Sequence, residues 1–272
     1  MNLRFYQLDA FSGKPFGGNP AAVFPLERWL DDATMLAIAA EINLPASAFF
    51  VSDDGDFHIR WYSPAAELQL CGHATLASGY VLLEALRRAE RAVTFSSRAG
   101  RLEVEREGHR LAMDFPALPL RKRHDPELVS EALGVRPIEL WEADRGMAVL
   151  ADAAQVRDLR PDVRAIAALP FSTLIVTARG FENDCDFVSR YFAPKWGITE
   201  DFVTGSAHCV LTPYWAASLK KSQLFARQLS SRGGELWVED RGDRVRIAGE
   251  CVPIAEGTLT LQAPNGREAA NP

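Results

Sequence analysis

Residues that could bind and deprotonate a small molecule occur in two similar stretches of this 272-residue chain. Residues 71–77 are CGHATLA and residues 200–209 are EDFVTGSAHC, so each stretch places a glycine just before a predicted helix. A glycine turn at a helix start leaves free N–H groups at the positive end of the helix dipole, which favours a carboxylate or oxyanion. We therefore expect Gly72, Gly205 and Ser206 to bind polar groups of a ligand.

Three polar side chains beside these turns are candidates for the chemistry. A helix N-terminus disfavours the cationic form of His73, which predicts a neutral hydrogen-bonding group, although a histidine that caps its own turn is the alternative. Asp201 lies four residues before Gly205 and is either a site acid or a turn-capping acid. His208 ranks lower, because its later position relative to the glycine turns it away from the other stretch.

Glu41 follows the apolar segment 36–40 and has two possible roles. Apolar surroundings would raise the pKa of its carboxyl and suit a proton shuttle. Helical periodicity alone favours the other role, a solvated face of an amphipathic helix.

Cys71 offers a competing mechanism, because a thiol at a helix N-terminus becomes more acidic. A two-base epimerase would need a second thiol at the matching place, but Thr204 occupies it. Cys209 is five positions further on, inside the predicted helix, so a symmetric thiol pair is absent from the sequence.

The segments that lead into the two stretches are also alike, which predicts the architecture. Residues 56–64 (DFHIRWYSP) and 186–194 (DFVSRYFAP) are identical at four of nine positions. The sequence therefore predicts an α+β fold of two pseudo-repeated domains, each a curled and mostly antiparallel sheet around a central helix. The central helices are expected at 73–88 and 206–219, the second with a kink at Pro213.

The predicted boundary lies at the Pro-containing and basic stretch near residue 118. The first domain is expected to hold residues 1–117 together with the segment 262–272, and the second residues 118–261. The two domains would face each other across the cleft that holds both glycine turns.

Composition excludes several classes of function. The net charge of −6 gives no sign of a nucleic-acid or anionic-membrane surface, and no apolar run is long enough to span a membrane. The four cysteines have neither disulfide-framework nor zinc spacing, and no nucleotide-binding motif occurs. We expect a cytoplasmic protein with a small-molecule substrate, no metal and no cofactor.

Four ordered motifs resemble those of the PhzF-like (phenazine biosynthesis-like) protein family, within the diaminopimelate-epimerase-like fold. They cover nearly the whole chain: residues 16–23 (FGGNPAAV), Glu41 with 43–49 (NLPASAF), 71–77 (CGHATLA) and 200–209 (EDFVTGSAHC). Characterised members of that family isomerise a cyclohexadiene amino acid by moving a proton, without a cofactor, and some relatives suggest a homodimer.

The resemblance implies roles for particular residues. Glu41 matches the acid/base glutamate of the family, and His73 and Asp201 match residues that position the substrate and help proton transfer. Gly72, Gly205 and Ser206 would hold polar groups of the ligand, as would Asn19 of the first motif. Many relatives have proline after the acid that matches Asp201, whereas this chain has Phe202.

Three hypotheses follow for the function. The first is a cofactor-independent isomerase that moves a proton on a small carboxylate-bearing, amino-substituted substrate. The second is an epimerase or dehydratase that uses Cys71, and the third is a non-catalytic homologue that binds a small molecule.

Overall fold

The computed structural model describes residues 1–53 and 55–261, whose strands form one continuous sheet that curls twice. The N-terminal half contains helix α1 (Asp32–Ile42) and helix α2 (Gly72–Tyr80), which continues into a π-helical turn (Val81–Ala85). Its strands are β1 (Asn2–Ala10), β2 (Asn19–Leu26), β3 (Ala46–Asp53), β4 (Asp56–Tyr62), β5 (Glu67–Leu68), β6 (Ala92–Ser97), β7 (Gly100–Glu107) and β8 (Arg110–Pro116).

The remaining elements follow in chain order. The strands are β9 (Arg121–Arg123), β10 (Glu139–Glu142), β11 (Gly146–Val149), β12 (Leu174–Arg179), β13 (Phe187–Ala193), β14 (Ile198–Asp201), β15 (Gln223–Gln228), β16 (Gly234–Asp240), β17 (Arg244–Gly249) and β18 (Cys251–Thr260). The helices are α3 (Ser130–Leu133), α4 (Ala153–Asp158), α5 (Val163–Ala168) and α6 (Gly205–Leu219), with 3-10 turns at Pro126–Val129 and Pro194–Trp196.

Seven strands of each half pair in the same order and with the same orientations. The order β1-β2-β3-β4-β6-β7-β8 is antiparallel, parallel, antiparallel, parallel, antiparallel and antiparallel. The order β10-β11-β12-β13-β15-β16-β17 repeats that pattern step for step. The halves join where β8 pairs with β17, so the prediction of an α+β fold built from two repeated, curled sheets is confirmed.

Each half places one helix inside its curl and its other helices outside it. Successive strand residues point to opposite faces of a sheet. On β2, Ala21 and Val23 therefore pack in the central core with Ala74 of α2, whereas Ala22 and Phe24 pack in a separate cluster under α1. Helices α1 and α2 thus cover opposite faces of the same strands.

Helix α6 continues through Pro213. Proline has no N–H, so Pro213 cannot donate to the carbonyl of Cys209 one turn earlier. The N–H of Leu118, in the segment that connects β8 to β9, donates to that carbonyl instead at 3.0 Å. The connection between the halves is thereby hydrogen-bonded to the central helix of the second half.

Some predicted elements differ from the structure. The six-residue helices α4 and α5 were not predicted, since each is too short for a periodic pattern; Asp152 and Asp162 cap their N-termini. The basic stretch that was expected only to cross between domains contains β9, which pairs with β10.

Strand β18 pairs with β1 along its length, although the sequence assigned residues 118–261 to the second domain. It therefore completes the sheet of the N-terminal half. The domain boundary itself remains a prediction, and the segment 262–272 lies outside the described residues. Within the described ranges, no helix has the length and apolar character needed to cross a membrane.

Candidate active site

The N-termini of α2 and α6 face each other at the centre of the molecule. A β-carbon placed on Gly72 would lie 3.9 Å from the Cα of Gly205, one glycine from each half. The sequence predicted that these two turns converge, and the structure brings them together. Their free N–H groups give this region a positive potential.

Asp201 lies beside these helix ends at the close of β14, and both halves hold its carboxylate. Asn19 of β2 donates from Nδ2 to Oδ1 at 2.8 Å, and the Thr204 hydroxyl donates to Oδ2 at 2.5 Å. Asn19 Nδ2 also donates to the carbonyl of Val203 at 2.9 Å. Because both acceptors lie on the Nδ2 side, they fix the orientation of the Asn19 amide. Both acceptors belong to the second half, so Asn19 links the two halves.

Gln228 of β15 holds the turn that carries Asp201. Its Nε2 donates to the main-chain carbonyl of Asp201 at 2.9 Å, and its Oε1 accepts from the N–H of Thr204 at 2.9 Å. The side chain is buried, so water does not compete for these bonds. Sequence reasoning missed Gln228, because its partners lie 24 and 27 residues away in the chain. It also missed the local bond from Thr204 to Asp201, three residues earlier.

Burial raises the pKa of Asp201 to about 6. Hydrogen bonds from Thr204, from Asn19 and from the N–H of Phe202 act in the opposite direction, since they stabilise the ionised form. The carboxyl group therefore titrates close to neutral pH, where it can both accept and release a proton.

His73 is buried and neutral at neutral pH. Burial lowers its pKa to about 4, and its Nδ1 lies 3.5 Å from the Cys71 sulfur. The neutral state agrees with the expectation from the sequence, but burial is its main cause.

The cysteines near the helix ends are protonated thiols. Burial raises the pKa of Cys71 to about 12 and that of Cys209 to about 11. The expectation of an acidic thiol at Cys71 is therefore wrong, because loss of solvation outweighs the helix dipole at this position.

His208 serves the helix rather than the site. Its Nδ1 lies 3.0 Å from the carbonyl oxygen of Thr204, so Nδ1 carries the proton and donates it. The ring packs 5.9 Å from that of Phe187, and burial lowers its pKa to about 4. This position agrees with its lower rank in the sequence analysis.

Glu41 lies near the C-terminal end of its helix, one residue before Ile42. It lies on α1, which covers the face of the sheet opposite to α2, and its side chain is exposed. Throughout residues 1–53 and 55–261, Glu41 has no hydrogen-bond or ion-pair partner. The exposed side chain contradicts a carboxylate desolvated by apolar neighbours and agrees with the alternative, a solvated face of the helix, which buries Met35, Ile38 and Ala39. The acid/base role of Glu41 stays a prediction from the family resemblance.

The fold does not require glycine at the two helix starts. A β-carbon on Gly72 or on Gly205 would make ordinary contacts, at 3.9 Å to Gly205 and 3.6 Å to Phe11. Gly18 differs, because it has a φ of 63° and its β-carbon would clash with the carbonyl of Ala10. The open backbone at Gly72 and Gly205 is consistent with close approach of a ligand.

Two glutamates near the site belong to the repeated scaffold. Arg60 donates to both oxygens of Glu67 at 2.7 and 2.9 Å, and Arg190 does the same to Glu200 at 2.7 and 2.8 Å. The two ion pairs therefore occupy equivalent places in the repeat.

Phe202 is held by Arg232. The guanidinium carbon lies 5.6 Å from the ring centroid, while Arg232 also donates to Asp9 and to the carbonyls of Gly17 and Gly18. These contacts connect the loop after Asp201 to the loop before Asn19.

Sequence reasoning also missed Arg145, which is buried immediately before β11. Its Nη1 donates to the Ser206 hydroxyl at 3.2 Å, in the first turn of α6. No local motif marks this arginine, and its equivalent position in the first half can be identified only from the pairing of the strands.

One sizeable cavity lies away from the two helix ends. A cavity of about 690 Å³ lies between the inter-half connection and the C-terminal part of α6, lined by Leu118, Trp141 and Tyr214 among others. Its lining is mainly apolar, and the described residues contain no cluster of three or more metal-ligating side chains.

Comparison with known proteins places the chain among close relatives. A family model described as phenazine biosynthesis-like protein matches residues 8–257. An uncharacterized isomerase of Pseudomonas aeruginosa is 48% identical over 262 residues, covering 96% of this chain and 100% of that protein.

Solved structures agree with this similarity. The crystal structure of a PhzF-family phenazine biosynthesis protein from Enterococcus faecalis has a TM-score of 0.93 and 40% identity, covering 96% of this chain and 100% of its own. A hydroxyproline epimerase from Agrobacterium vitis has a TM-score of 0.62 and 11% identity, covering 97% of this chain and 94% of its own. The second likeness concerns the fold alone.

Proposed function

Because this chain belongs to the phenazine biosynthesis-like protein family, we propose that it is an isomerase that moves a proton on a small carboxylate-bearing, amino-substituted molecule. The observation that carries the proposal is the Asp201 carboxylate, which accepts hydrogen bonds from Asn19 and Thr204 and has a pKa of about 6. The relatives named as isomerases support the reaction class.

Asp201 acts as the general acid/base in this proposal. Above pH 6 it is mostly ionised and can remove a proton from carbon, and its conjugate acid is strong enough to return that proton at a new position. Hydrogen bonds from Asn19 and Thr204 fix the carboxylate, which reduces the reorganisation needed at the moment of transfer.

The helix ends stabilise the negative charge that develops when the proton leaves. Free N–H groups at Gly72, Gly205 and Ser206 lie at the positive ends of two helix dipoles, and neutral His73 adds a hydrogen-bonding side chain. The scheme needs no cofactor, because the proton donor and acceptor are one side chain.

Glu41 is not given the acid/base role in this proposal, because it is exposed on the outer face of the sheet. Cys71 is not given it either, since burial raises the pKa of its thiol to about 12. The two residues therefore provide controls that separate the three possible bases.

The test is solvent-deuterium incorporation. A pool of small amino-substituted carboxylates is incubated in D2O with the wild type and with Asp201→Asn, Glu41→Gln and Cys71→Ser variants, and mass spectrometry follows each compound. We expect at least one compound to exchange with the wild type, with the rate reduced at least about 100-fold in Asp201→Asn, the usual minimum for a lost acid/base. Glu41→Gln and Cys71→Ser should stay near the wild-type rate.

Full exchange by Asp201→Asn would overturn the proposal. Loss of exchange in Glu41→Gln with Asp201→Asn unaffected would return the acid/base role to the glutamate. The wild-type rate should also rise with pH through about 6, as the Asp201 carboxylate ionises.

A further inference from the structure

Arg145 lies against the N-terminus of α6 and next to the Asp201 strand. Only 7% of the residue is exposed, and its Nη1 donates to the Ser206 hydroxyl at 3.2 Å. Its guanidinium carbon is 5.9 Å from the ring centroid of Tyr191, the residue that pairs with Asp201 across β13 and β14. The arginine is therefore part of the same polar neighbourhood.

The partners of Arg145 differ in kind from those of Arg190, the other arginine classed as buried among the described residues. Arg190 donates to the carboxylate of Glu200, whose side chain is 20% exposed, and to the buried carbonyl of Leu159. Arg145 instead donates from its other two nitrogens, Nε and Nη2, to Asp144, whose side chain is 54% exposed. The solvent-exposed carboxylate of Asp144 thus makes both hydrogen bonds to one edge of the buried Arg145 guanidinium.

The pseudo-repeat shows that the scaffold does not need an arginine at this place. Tyr191 and Trp61 are repeat equivalents, and strand register connects them to Met147 and Val23, respectively. Arg145 comes two residues before Met147 in the second half, and Ala21 comes two residues before Val23 in the first. Arg145 and Ala21 are therefore at equivalent places in the repeat. The first half builds the same curl with a methyl group there.

The surrounding groups make this positive charge significant. His73 and His208 have pKa values lowered to about 4 by burial, and the thiols of Cys71 and Cys209 remain protonated. These four groups are uncharged at neutral pH, whereas arginine keeps its charge in any protein environment. A carboxylate near Ser206 would therefore meet a permanent cation as well as a helix end.

We propose that Arg145 is the specificity residue that binds the carboxylate of the substrate, and that Asp144 is a resident counterion which this carboxylate displaces. The planar fork of arginine matches a carboxylate with two parallel hydrogen bonds. The Asp144–Arg145 pair already shows this geometry with a carboxylate of the chain itself. That the bound carboxylate belongs to a substrate rests on the proposed function, whereas the carboxylate site at Arg145 does not.

Acetate is the probe, because it is the smallest carboxylate that can occupy the fork. Its binding is measured from the shift in the thermal unfolding midpoint and from the Arg145 Nε–H signal in NMR, with chloride at equal ionic strength as the reference. Asp144→Asn removes the competing carboxylate and leaves the arginine in place. We expect this variant to bind acetate at least about ten-fold more tightly than the wild type, as the gain of a charge-assisted bond predicts.

The chain offers a matched control pair. Arg157 and Asp158 are also sequence neighbours with two hydrogen bonds, both at 2.8 Å, but their side chains are 55% and 65% exposed. Asp158→Asn should leave acetate binding at the wild-type level, and Arg145→Gln should abolish the acetate effect.

An acetate effect in Asp144→Asn no larger than that of chloride would overturn the inference, as would an equal effect in Asp158→Asn. Because the decisive variant keeps Arg145, the result does not depend on whether Arg145→Gln folds. Failure of acetate binding with Asp201-dependent deuterium exchange intact would reject only the arginine site. Acetate binding without exchange would reject only the isomerase.

Discussion

Burial sets the charge state of the polar side chains around the two helix ends. The rise in the Cys71 pKa from 9.0 to about 12 corresponds to about 4 kcal/mol, whereas a helix terminus contributes at most about 2 kcal/mol. Desolvation therefore wins at Cys71. The sequence shows that a residue stands at a helix start, but not how deeply the fold buries it, so the acidic-thiol prediction was wrong.

Asp201 should leave a measurable mark on the pH dependence of stability. Its folded pKa is raised from 3.8 to about 6, so it favours the folded state at low pH and this contribution is lost as the pH rises through 6. His73 and His208 have folded pKa values lowered from 6.5 to about 4, so their contribution is present above 6.5 and is lost on acidification. The two effects oppose each other between about pH 4.5 and 6.

Urea unfolding measured between about pH 4.5 and 6 tests how the free energy of unfolding changes with pH in each variant. Asp201→Asn removes the opposing contribution, so its free energy of unfolding should rise more steeply with pH than that of the wild type. His208→Gln should rise less steeply, and each difference should be up to about 1.4 kcal/mol per pH unit. A shallower slope in Asp201→Asn would show that the carboxyl does not carry a raised pKa.

At the scale of elements, the glycine at the start of α2 is expected to matter for ligand and not for folding. In Gly72→Ala the added methyl group makes an ordinary contact with Gly205, so the free energy of unfolding should change by less than about 1 kcal/mol. The methyl group occupies the space between the helix ends, so deuterium exchange should fall at least about ten-fold, as for a misplaced substrate.

Gly79 of the same helix provides the contrast. A β-carbon there would lie 2.5 Å from a methyl carbon of Val104, so Gly79→Ala should destabilise the protein by about 1–3 kcal/mol through overpacking. Chemical denaturation and exchange assays on both variants separate the two roles. Equal losses of stability would contradict the assignment of Gly72 to the ligand.

The connection between the halves should respond to a change in α6. Pro213→Ala restores an N–H that can donate to the carbonyl of Cys209, which currently accepts from Leu118 at 3.0 Å. We expect the amide hydrogen of Leu118 to exchange with solvent about ten-fold faster, since a hydrogen bond contributes about 1 kcal/mol.

Hydrogen exchange resolved by NMR would measure this, with Ala117 as the internal reference. The Ala117 N–H donates to Asp243 at 2.9 Å and loses no acceptor in the variant. Unchanged exchange at Leu118 would mean that the linker keeps its bond without help from the proline.

At the scale of the whole molecule, the sequence predicted the repeated sheets and central helices but missed the side-chain contacts between distant segments. The nine-residue similarity of 56–64 and 186–194 led to the two curled sheets and to converging helix ends. Periodicity also predicted α1, but not which face of the sheet it covers. That face depends on the path of the β2-α1-β3 crossover, which periodicity does not encode. Periodicity did favour a solvated position for the Glu41 side chain, as the structure shows, whereas its acid/base role comes from the family resemblance and stays a prediction.

The site contacts that the sequence left hidden join distant parts of the chain. Asn19 and Asp201 are 182 residues apart, and Arg145 and Ser206 are 61 residues apart. The motifs marked Asn19, Asp201 and Ser206 individually. They gave no sign of Arg145, whose importance appears only when its place is compared with Ala21.

The pairing of β18 with β1 has a consequence for how the protein is made. During synthesis, β1 leaves the ribosome first and pairs with β2, but its other edge stays open until more than 240 residues later, when β18 emerges. An unpaired strand edge is prone to wrong association. The sheet of the N-terminal half is therefore completed only after the second half has been synthesised. Pairing of β18 with β1 then covers the open edge and protects the nascent chain from aggregation.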